Sequence, residues 1–472
     1  MPMDDPEVEE LVRVFGKFAR HALNQAEPEE RSPFPAMFEE LLGVDPLGLP
    51  TVRRSYPVWQ HVNLQVALDA LGADPDITSE CVGLRGGWSH QTATFSELLS
   101  PRSDYRIGPV GYAYQPSGPD RRMPCIASAV FLLRGGAAPA ALSVQYKSDR
   151  YDAGLFVEVM TVEREDAEGL LDRIDELMSA RNVYRGAMLT VEPNRDSGLD
   201  IHFHPRPQVA RTDIVLPPGV LERVEAQVLG IAMRRDALRA AGRHVKRGIL
   251  LYGPPGTGKT LCVRYFATEM PEATVLVLSG GGLGLVGETC ALARTLTPAI
   301  VVLEDVDLVA QDRDIRPGHP NPVLFELLNG IDGMADDADI TFILTTNRPD
   351  ILEPALSARP GRVDLAVELP LPDDAGRQHL LTLYGAGLDL RLADSARVVQ
   401  RTAGMTASFF KELLRRAYLR ALDESAETID DRVINDALDE LLAPVNSLNR
   451  ALLTGPDPSR AEGVNEPSRA KA

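Results

Sequence analysis

Cysteine and positive charge are both scarce in this chain. Of its 472 residues four are cysteines, and no two of them have the C-x-x-C spacing of a zinc or redox site. Neither a structural zinc nor a disulfide framework is predicted, and reduced, buried thiols are expected. The 49 cationic residues are outnumbered by 68 acidic ones, which gives a net charge of −19. This balance argues against a broad basic surface, so no nucleic-acid partner is expected.

Long apolar runs are also missing. No stretch approaches the ~18 consecutive apolar residues of a transmembrane helix, so no membrane span is expected. The first ten residues, MPMDDPEVEE, are acidic and lack the apolar core of a signal peptide. We therefore predict a cytoplasmic location. The sequence contains no H-E-x-x-H motif either, which argues against a zinc protease in this chain.

The pattern that is present changes along the chain and predicts an α/β fold. Strands and helices alternate between residues 246 and 372, as in a parallel sheet with covering helices. The segments on either side differ in periodicity and composition. We predict a mainly helical N-terminal region (1–104), a small α+β module (105–210), a large nucleotide-binding subdomain (211–372), a helical lid (373–445) and a disordered tail (446–472).

The strongest motif is GPPGTGKT at residues 253–260, which fits the phosphate-binding pattern G-x-x-x-x-G-K-[ST] between an apolar strand and a helix. Gly256 and Gly258 permit a close approach of the backbone that a Cβ atom would prevent. Lys259 suits the β- and γ-phosphates, and the Thr260 hydroxyl suits Mg²⁺. ATP and Mg²⁺ are the predicted cofactors, and the predicted nucleotide-binding residues are Gly253, Pro254, Pro255, Gly256, Thr257, Gly258, Lys259, Thr260 and Leu261.

A second motif is AIVVLEDVD at residues 299–307, where a buried strand runs into acidic residues. Acids at the carboxyl end of a parallel strand lie at the edge where ligands bind. One acid should hold the Mg²⁺ water shell and the next should orient the attacking water. By position we predict Glu304 for the Mg²⁺ shell, together with Thr260, and Asp305 for the water. The reverse assignment of the two carboxylates stays open.

Taken in order, the motifs over residues 220–440 resemble those of the AAA+ ATPases, specifically the AAA family proper. GPPGTGKT is similar to its Walker A sequence and PAIVVLEDVD (298–307) to its Walker B. ILTTNRPDILEPALSARPGRVD (343–364) is similar to the second region of homology, and TAGMTASFFKELLRRA (402–417) to the start of the lid. The resemblance implies a P-loop AAA+ module with a helical lid, behind an N-terminal region that matches no family we can place.

The resemblance also implies roles for residues beyond the phosphate loop. Asn347 corresponds to sensor 1, which positions the attacking water. Arg359 and Arg362 correspond to the arginine fingers that reach the γ-phosphate in a neighbouring subunit. A guanidinium suits that task because it is always charged and forks onto phosphate oxygens. Fingers acting in trans imply a homo-oligomeric ring, usually a hexamer in this family.

Several departures from the family pattern bear on function. The acids are in the order Glu304-Asp305 rather than Asp-Glu, and one extra residue precedes Arg359. Leu285, Val286 and Gly287 occupy the place of the aromatic pore loop that grips translocating polypeptide, with Leu in place of the aromatic residue. This segment is either a weaker threading loop or a glycine-rich loop with no grip on substrate.

The predicted function is an ATP-hydrolysing ring that remodels or unfolds a protein target. The resemblance implies that residues 1–205 choose this target or its adaptor. The alternative is a nucleotide-gated assembly or scaffold module, in which hydrolysis is slow or absent and nothing is threaded. The reversed acids and the Leu pore residue favour the alternative, whereas the sensor and finger residues favour hydrolysis.

Overall fold

A computed structural model describes residues 32–86, 93–101, 103–147, 154–194, 198–310, 338–350 and 363–443. The predicted arginine fingers Arg359 and Arg362 and the predicted tail at 446–472 lie outside these ranges. The chain divides into two units, Met1–Val183 and Tyr184–Ala472. Within the ranges described, no helix combines the length and the apolar character needed to cross a bilayer.

The first unit is built on a seven-stranded antiparallel sheet with the order β1-β7-β6-β5-β2-β3, in which β4 pairs with β5. Its strands are β1 Thr51–Tyr56, β2 Ile77–Arg85, β3 Arg106–Gly108, β4 Gly111–Gly118, β5 Arg121–Gly135, β6 Ala140–Lys147 and β7 Gly154–Met160. The helices described in this unit are α1 Phe34–Leu42, α2 His61–Gly72, α3 Phe95–Leu98 and α4 Arg164–Ala180.

Apolar residues on both faces of this sheet explain why helices cover both of them. Successive strand residues point to opposite faces, so Ala129 and Phe131 belong to one core and Val130 and Leu132 to the other. Helices α2 and α4 pack in the first core, and α1 and α3 in the second. Each helix supplies the apolar stripe that such packing requires.

The observed boundary between the units differs from the predicted one at residue 210. Strands β1 and β2 lie within the region predicted to be mainly helical, and the module predicted at 105–210 is divided between two sheets. The sequence hid β1, TVRRSY, because it is an edge strand whose every second residue is exposed. Strands β8 and β9 were assigned to the wrong sheet because strand pairing is a non-local choice that periodicity does not reveal.

The second unit contains the predicted parallel sheet, which has seven strands in the order β14-β10-β13-β12-β11-β8-β9. Every pair is parallel except the terminal hairpin β8–β9. The strands are β8 Met188–Pro193, β9 Leu199–His204, β10 Arg247–Tyr252, β11 Thr274–Ser279, β12 Ala299–Glu304, β13 Ile340–Thr346 and β14 Leu365–Glu368. The accompanying helices are α5 Val220–Met233, α6 Arg235–Ala240, α7 Lys259–Glu269, α8 Val286–Thr295 and α9 Val306–Ala310.

A group of helices follows the sheet and forms a separate apolar core. It contains α10 Asp374–Gly385, α11 Ser395–Arg401, α12 Ala407–Asp423 and α13 Asp431–Leu442, with a short parallel pair β15 Leu390–Arg391 and β16 Ile429–Asp430. Helix α13 buries Val433, Ala437 and Leu441, which recur every four residues along one face. The Asp430 carboxylate caps this helix by accepting from the Val433 N–H at 2.9 Å.

Candidate nucleotide site

The phosphate loop connects strand β10 to helix α7, and its glycines have backbone conformations that other residues rarely adopt. Gly253, Gly256 and Gly258 have φ angles of 147°, 79° and 100°. A Cβ on Gly253 would lie 2.3 Å from the Leu369 carbonyl oxygen. The motif therefore needs glycine at this position for close packing as well as for its turn.

Lys259 is buried at the start of α7 and holds the loop together. Its Nζ donates to the carbonyl oxygens of Gly253 at 2.8 Å and Pro254 at 2.9 Å. Burial lowers the pKa of this amine, while the charges of Asp305 and Asp307 act in the opposite direction. Lys259 is thus a cation aligned with the anion-binding loop and close to two carboxylates.

A cavity of about 400 Å³ opens beside the loop, within the size range of ligand sites. Phosphate-loop residues 255–261 line one side, and the sheet contributes Asp305 and Asn347. The lid contributes Leu380, Tyr384, Ala407, Ser408 and Lys411, and the segment before α5 contributes Asp213, Ile214 and Val215. The end formed by the phosphate loop and the sheet is therefore the more polar one, and the end formed by the lid and residues 213–215 is the more apolar one, as a nucleotide requires.

Residues 213–215 were not predicted to line the site, although they lie at the start of the predicted nucleotide-binding subdomain. The signal in the sequence was the apolar run Ile214-Val215-Leu216 inside a Pro-rich stretch. The lid also touches the loop directly, because the Ser408 N–H donates to the Gly256 carbonyl at 3.3 Å.

The acids after β12 are held by the neighbouring strand β13. Asp305 has a φ of 49°, in the left-handed region that Asp tolerates better than most residues. Its N–H donates to Thr345 Oγ1 at 3.1 Å, and its Oδ1 accepts from the Asn347 side-chain amide at 3.3 Å. The structure thus brings Asp305 and Asn347 together with Lys259 at the polar end of the cavity.

Asp307, the last acid of the motif, is buried, and its role was not predicted. Its Oδ1 accepts from the Thr346 hydroxyl at 2.8 Å and from the Asn347 N–H at 3.1 Å. The signal in the sequence was a third acid only two residues after Asp305. Its partners could not be identified from the sequence because they lie at the end of another strand and in the residue after it.

Glu304 is placed differently from Asp305. It is the last residue of β12, is half-buried and pairs in register with Ser279 of β11. It is not one of the residues that line the cavity, whereas Asp305 is.

The oxygen donors at the polar end suit a magnesium ion. The Thr260 hydroxyl lines the cavity, and Glu304, at the end of β12 and next to the lining residue Asp305, would act on the ion through water. Hydroxyl and carboxylate oxygens are the hard ligands that Mg²⁺ prefers. In the part of the chain that the structure describes, no cluster of three or more His, Cys, Asp or Glu residues forms a metal cage. Such a cage is not needed, because Mg²⁺ is usually bound through one or two carboxylates and the nucleotide phosphates.

The predicted pore segment is packed against the sheet. Residues Gly280–Leu285 form a 3₁₀ helix and Val286 begins α8. Val286 is 1% exposed, and Leu285 is half-buried. Gly282 is so close to β8 that a Cβ atom would lie 2.7 Å from the Val191 carbonyl oxygen. Only Gly287 in the predicted triplet is exposed.

Comparison with known proteins identifies this module. Residues 249–371 match the model of the ATPase family associated with various cellular activities (AAA). The chain contains an AAA ATPase domain. The match covers the phosphate loop, the acids after β12 and Asn347, so the predicted resemblance and the α/β P-loop fold are confirmed.

Relatives of this AAA domain occur in proteins of different kinds. The ATP-dependent zinc metalloprotease FtsH 2 of Symbiobacterium thermophilum is 34% identical over 249 residues, which is 50% of this chain and 42% of that protein. The proteasome-activating nucleotidase of Pyrococcus furiosus is 31% identical over 249 residues, which is 50% of this chain and 63% of that protein. The chain thus spans less than two thirds of these relatives, and the similarity extends over about half of the chain itself.

Proposed function

We propose that the chain binds Mg-ATP in the cavity beside residues 253–261 and hydrolyses it to ADP and phosphate. The observation that carries this proposal is the convergence of Lys259, Asp305 and Asn347 on one cavity, where the Asn347 amide lies 3.3 Å from the Asp305 carboxylate. A site that only bound the nucleotide would not need an amide and a carboxylate next to the position of its phosphates.

The proposed chemistry assigns one task to each group. Backbone N–H groups of the loop and the Lys259 ammonium bind the phosphates, since both are donors to anionic oxygens. Thr260, with Glu304 acting through water, would hold Mg²⁺, which supplies charge neutralisation at the β- and γ-phosphates. Asp305 accepts a hydrogen bond from the attacking water and Asn347 fixes the direction of that carboxylate.

Phosphate release by purified protein tests this assignment. We expect Lys259→Ala to abolish both Mg-ATP binding and turnover, and Asp305→Asn to abolish turnover while binding persists. Lys246→Ala, a change at a half-buried lysine just before β10 that does not line the cavity, is the control that should leave both unchanged. Turnover by Asp305→Asn at the wild-type rate would contradict the proposal.

We infer further that the active form is a homo-oligomeric ring, with six subunits as the predicted number, that remodels a protein target chosen by residues 1–205. Arg359 and Arg362 would act on the nucleotide of the neighbouring subunit. The cytoplasm remains the predicted location. Trapping tests the remodelling role: the Asp305→Asn variant, loaded with ATP, should co-purify with a reproducible protein partner that Lys259→Ala does not retain.

Burial of Val286 supports remodelling without threading through residues 285–287. A grip on polypeptide needs exposed side chains, whereas this triplet begins a helix that packs on the sheet. We expect Leu285→Ala to leave ATP turnover unchanged with and without an unfolded protein. Loss of the stimulation that an unfolded protein gives, with basal turnover retained, would favour a threading loop.

The second candidate is a nucleotide-gated assembly module with slow or absent hydrolysis. The direct contact between Ser408 in the lid and Gly256 in the loop favours it, because it links the position of the lid to the phosphate loop. Single-turnover hydrolysis by the assembled wild type and by Arg362→Ala separates the two candidates. Assembly with no turnover in the wild type would leave only the second.

A further inference from the structure

A buried carboxylate two residues beyond Asp305 has no part in the assignment above. Asp307 is 3% exposed, and burying a carboxylate is costly unless its charge is well compensated. Its hydrogen-bond partners are two neutral donors, the Thr346 hydroxyl and the Asn347 N–H. Burial lowers the pKa of Lys259 and the charge of Asp307 acts in the opposite direction, so this ammonium is within electrostatic range of the carboxylate.

Both donors belong to the turn that carries Asn347. Strand β13 ends at Thr346, and the backbone must leave the sheet with Asn347 aimed at the cavity. Asp307 Oδ1 binds the hydroxyl of the first residue and the N–H of the second. The Thr346 oxygen in turn accepts from the Arg348 N–H at 2.9 Å, so three successive residues are tied to one carboxylate oxygen.

Residues 345–347 also hold Asp305 in place through two hydrogen bonds. Thr345 Oγ1 accepts the Asp305 N–H, and the Asn347 amide donates to the Asp305 carboxylate. Beyond the last ladder pair of β12 and β13, the two segments are thus joined by hydrogen bonds that each involve at least one side chain. A shift of the turn would move the amide of Asn347 and release the carboxylate of Asp305.

We propose that Asp307 is a positioning residue for ATP hydrolysis, which sets the Asn347 amide, and through it the Asp305 carboxylate, by accepting hydrogen bonds at the end of β13. The inference rests on the proposed ATPase function. Asp307 acts as a hydrogen-bond acceptor through Oδ1 and does not touch the nucleotide, because the residues that line the cavity include Asp305 and Asn347 but not Asp307.

Two substitutions at this position separate the acceptor role from the charge. Asp307→Asn keeps an Oδ1 that can accept both hydrogen bonds, since a carbonyl oxygen has two lone pairs. Asp307→Ala removes the acceptor and leaves the buried Thr346 hydroxyl and the half-buried Asn347 N–H without this partner. Small misplacements at a reacting centre can cost on the order of 100-fold in rate. We therefore expect Asp307→Ala to slow single-turnover hydrolysis by about that factor while the Kd for Mg-ATP stays within about threefold.

Asp339 provides the matched control. It is a buried carboxylate just before β13, at the opposite end of that strand, and pairs with Arg247 at 3.1 Å. Asp339→Ala should lower the melting temperature without lowering the single-turnover rate of the folded protein at 20 °C or below. Thr346→Val, which removes one donor to Asp307, should slow turnover even if Asp307→Ala does not fold.

The full chain is measured by single-turnover hydrolysis and by binding of a fluorescent ATP analogue. The expected result is slow turnover in Asp307→Ala and Thr346→Val, near-wild-type turnover in Asp307→Asn, and unchanged affinity in all three. When Asn347→Ala is already present, Asp307→Ala should reduce the single-turnover rate little further, because both changes disable the same amide. Equal losses in Asp307→Asn and Asp307→Ala, or additive losses with Asn347→Ala, overturn the inference; absence of turnover in the wild type overturns the proposed function instead.

Discussion

Asn347 joins two acids that lie on either side of it: its side-chain amide is 3.3 Å from Asp305 Oδ1, and its backbone N–H donates to Asp307 Oδ1 at 3.1 Å. One acid lines the cavity and the other is buried behind it. The residue that corresponds to sensor 1 is therefore fixed at both its backbone and its side chain. These two hydrogen bonds fix how Asp305 and Asp307 are placed relative to Asn347, which the sequence of the motif did not specify.

The order Glu304-Asp305 can be tested by reversing it. Asp305 has a φ of 49°, and a left-handed conformation costs about 1–2 kcal/mol for most residues but less for Asp and Asn. We expect Glu304→Asp/Asp305→Glu to lower the free energy of unfolding and to misplace the carboxylate that faces the cavity. Chemical denaturation and phosphate release measure the two effects.

Single neutral variants then assign the two acids. Asp305→Asn tolerates the same backbone conformation, so it should abolish turnover with little loss of stability. Glu304→Gln should mainly weaken Mg²⁺ binding, so that half-maximal turnover needs a higher Mg²⁺ concentration. If Glu304→Gln instead abolishes turnover at saturating Mg²⁺ with unchanged Mg-ATP affinity, the two roles are reversed.

Gly256 is predicted to be essential for closing the lid on the loop. A Cβ atom there would lie 2.9 Å from both Ser408 Oγ and Thr406 Oγ1, and φ is 79°. Gly256→Ala should therefore weaken ATP binding by at least about tenfold, the factor that corresponds to 1.4 kcal/mol. Calorimetric titration with Mg-ATP measures this loss.

A second glycine supplies the control for backbone strain. Gly242 also has a positive φ, 65°, but a Cβ there would meet nothing within 4 Å. Gly242→Ala should lower the free energy of unfolding by about as much as Gly256→Ala does, without changing the affinity for ATP. Equal affinity losses in the two variants would mean that the lid contact at Gly256 has no special role.

Features of the fold and the site that depend on local sequence were predicted, whereas features that depend on contacts between strands were not. The phosphate loop and the buried strands β10 and β12 were predictable, because glycine spacing and apolar runs are local signals. The addition of β8 and β9 to the same sheet was not, since a strand does not encode its partner in its own residues. Asp305 was predicted because it directly follows a buried strand, which is a local signal. The hydrogen bonds of Asp307 were missed because they cross to the end of β13.

Loss of Asp339 is predicted to lower stability but not activity, because it leaves the buried charge of Arg247 without this partner. Arg247 is 1% exposed, and its Nη1 lies 3.1 Å from Asp339 Oδ1. Removing one partner leaves the other charge buried, which costs about 3–5 kcal/mol. Asp339→Ala should lower the free energy of unfolding by about that amount, as measured by urea denaturation. The double variant Arg247→Met/Asp339→Ala should recover much of it, and failure to recover would show that the pair itself is net stabilising.

The stability of the first unit is predicted to fall in mild acid because of His61. The ring is buried; its Nε2 lies 2.8 Å from the Ile126 carbonyl oxygen and its Nδ1 3.3 Å from the Gln115 amide. A carbonyl only accepts, so Nε2 carries the proton of the neutral ring. Burial lowers the pKa of His61 below its usual value near 6.5.

The sign of the effect follows from proton binding. Below about pH 6.5 the unfolded chain binds a proton at His61 that the folded unit resists, so stability is retained above that pH and is lost as the pH falls towards the lower folded pKa. Thermal unfolding between pH 8 and pH 5 should show this slope, and His61→Gln should reduce it. An unchanged slope in His61→Gln would assign the acid sensitivity to other groups.

Mixing two inactive variants tests whether Arg362 acts on a neighbouring subunit. Lys259→Ala lacks the phosphate-binding cation but keeps Arg362, whereas Arg362→Ala keeps an intact loop. In a mixed ring, a loop from an Arg362→Ala subunit can face the arginine of a Lys259→Ala subunit. Random mixing of equal amounts should restore roughly a quarter of wild-type phosphate release if neighbouring sites act independently. No recovery, with mixed assembly verified by differently tagged subunits, would show that Arg362 is needed within its own subunit or that every site must be intact.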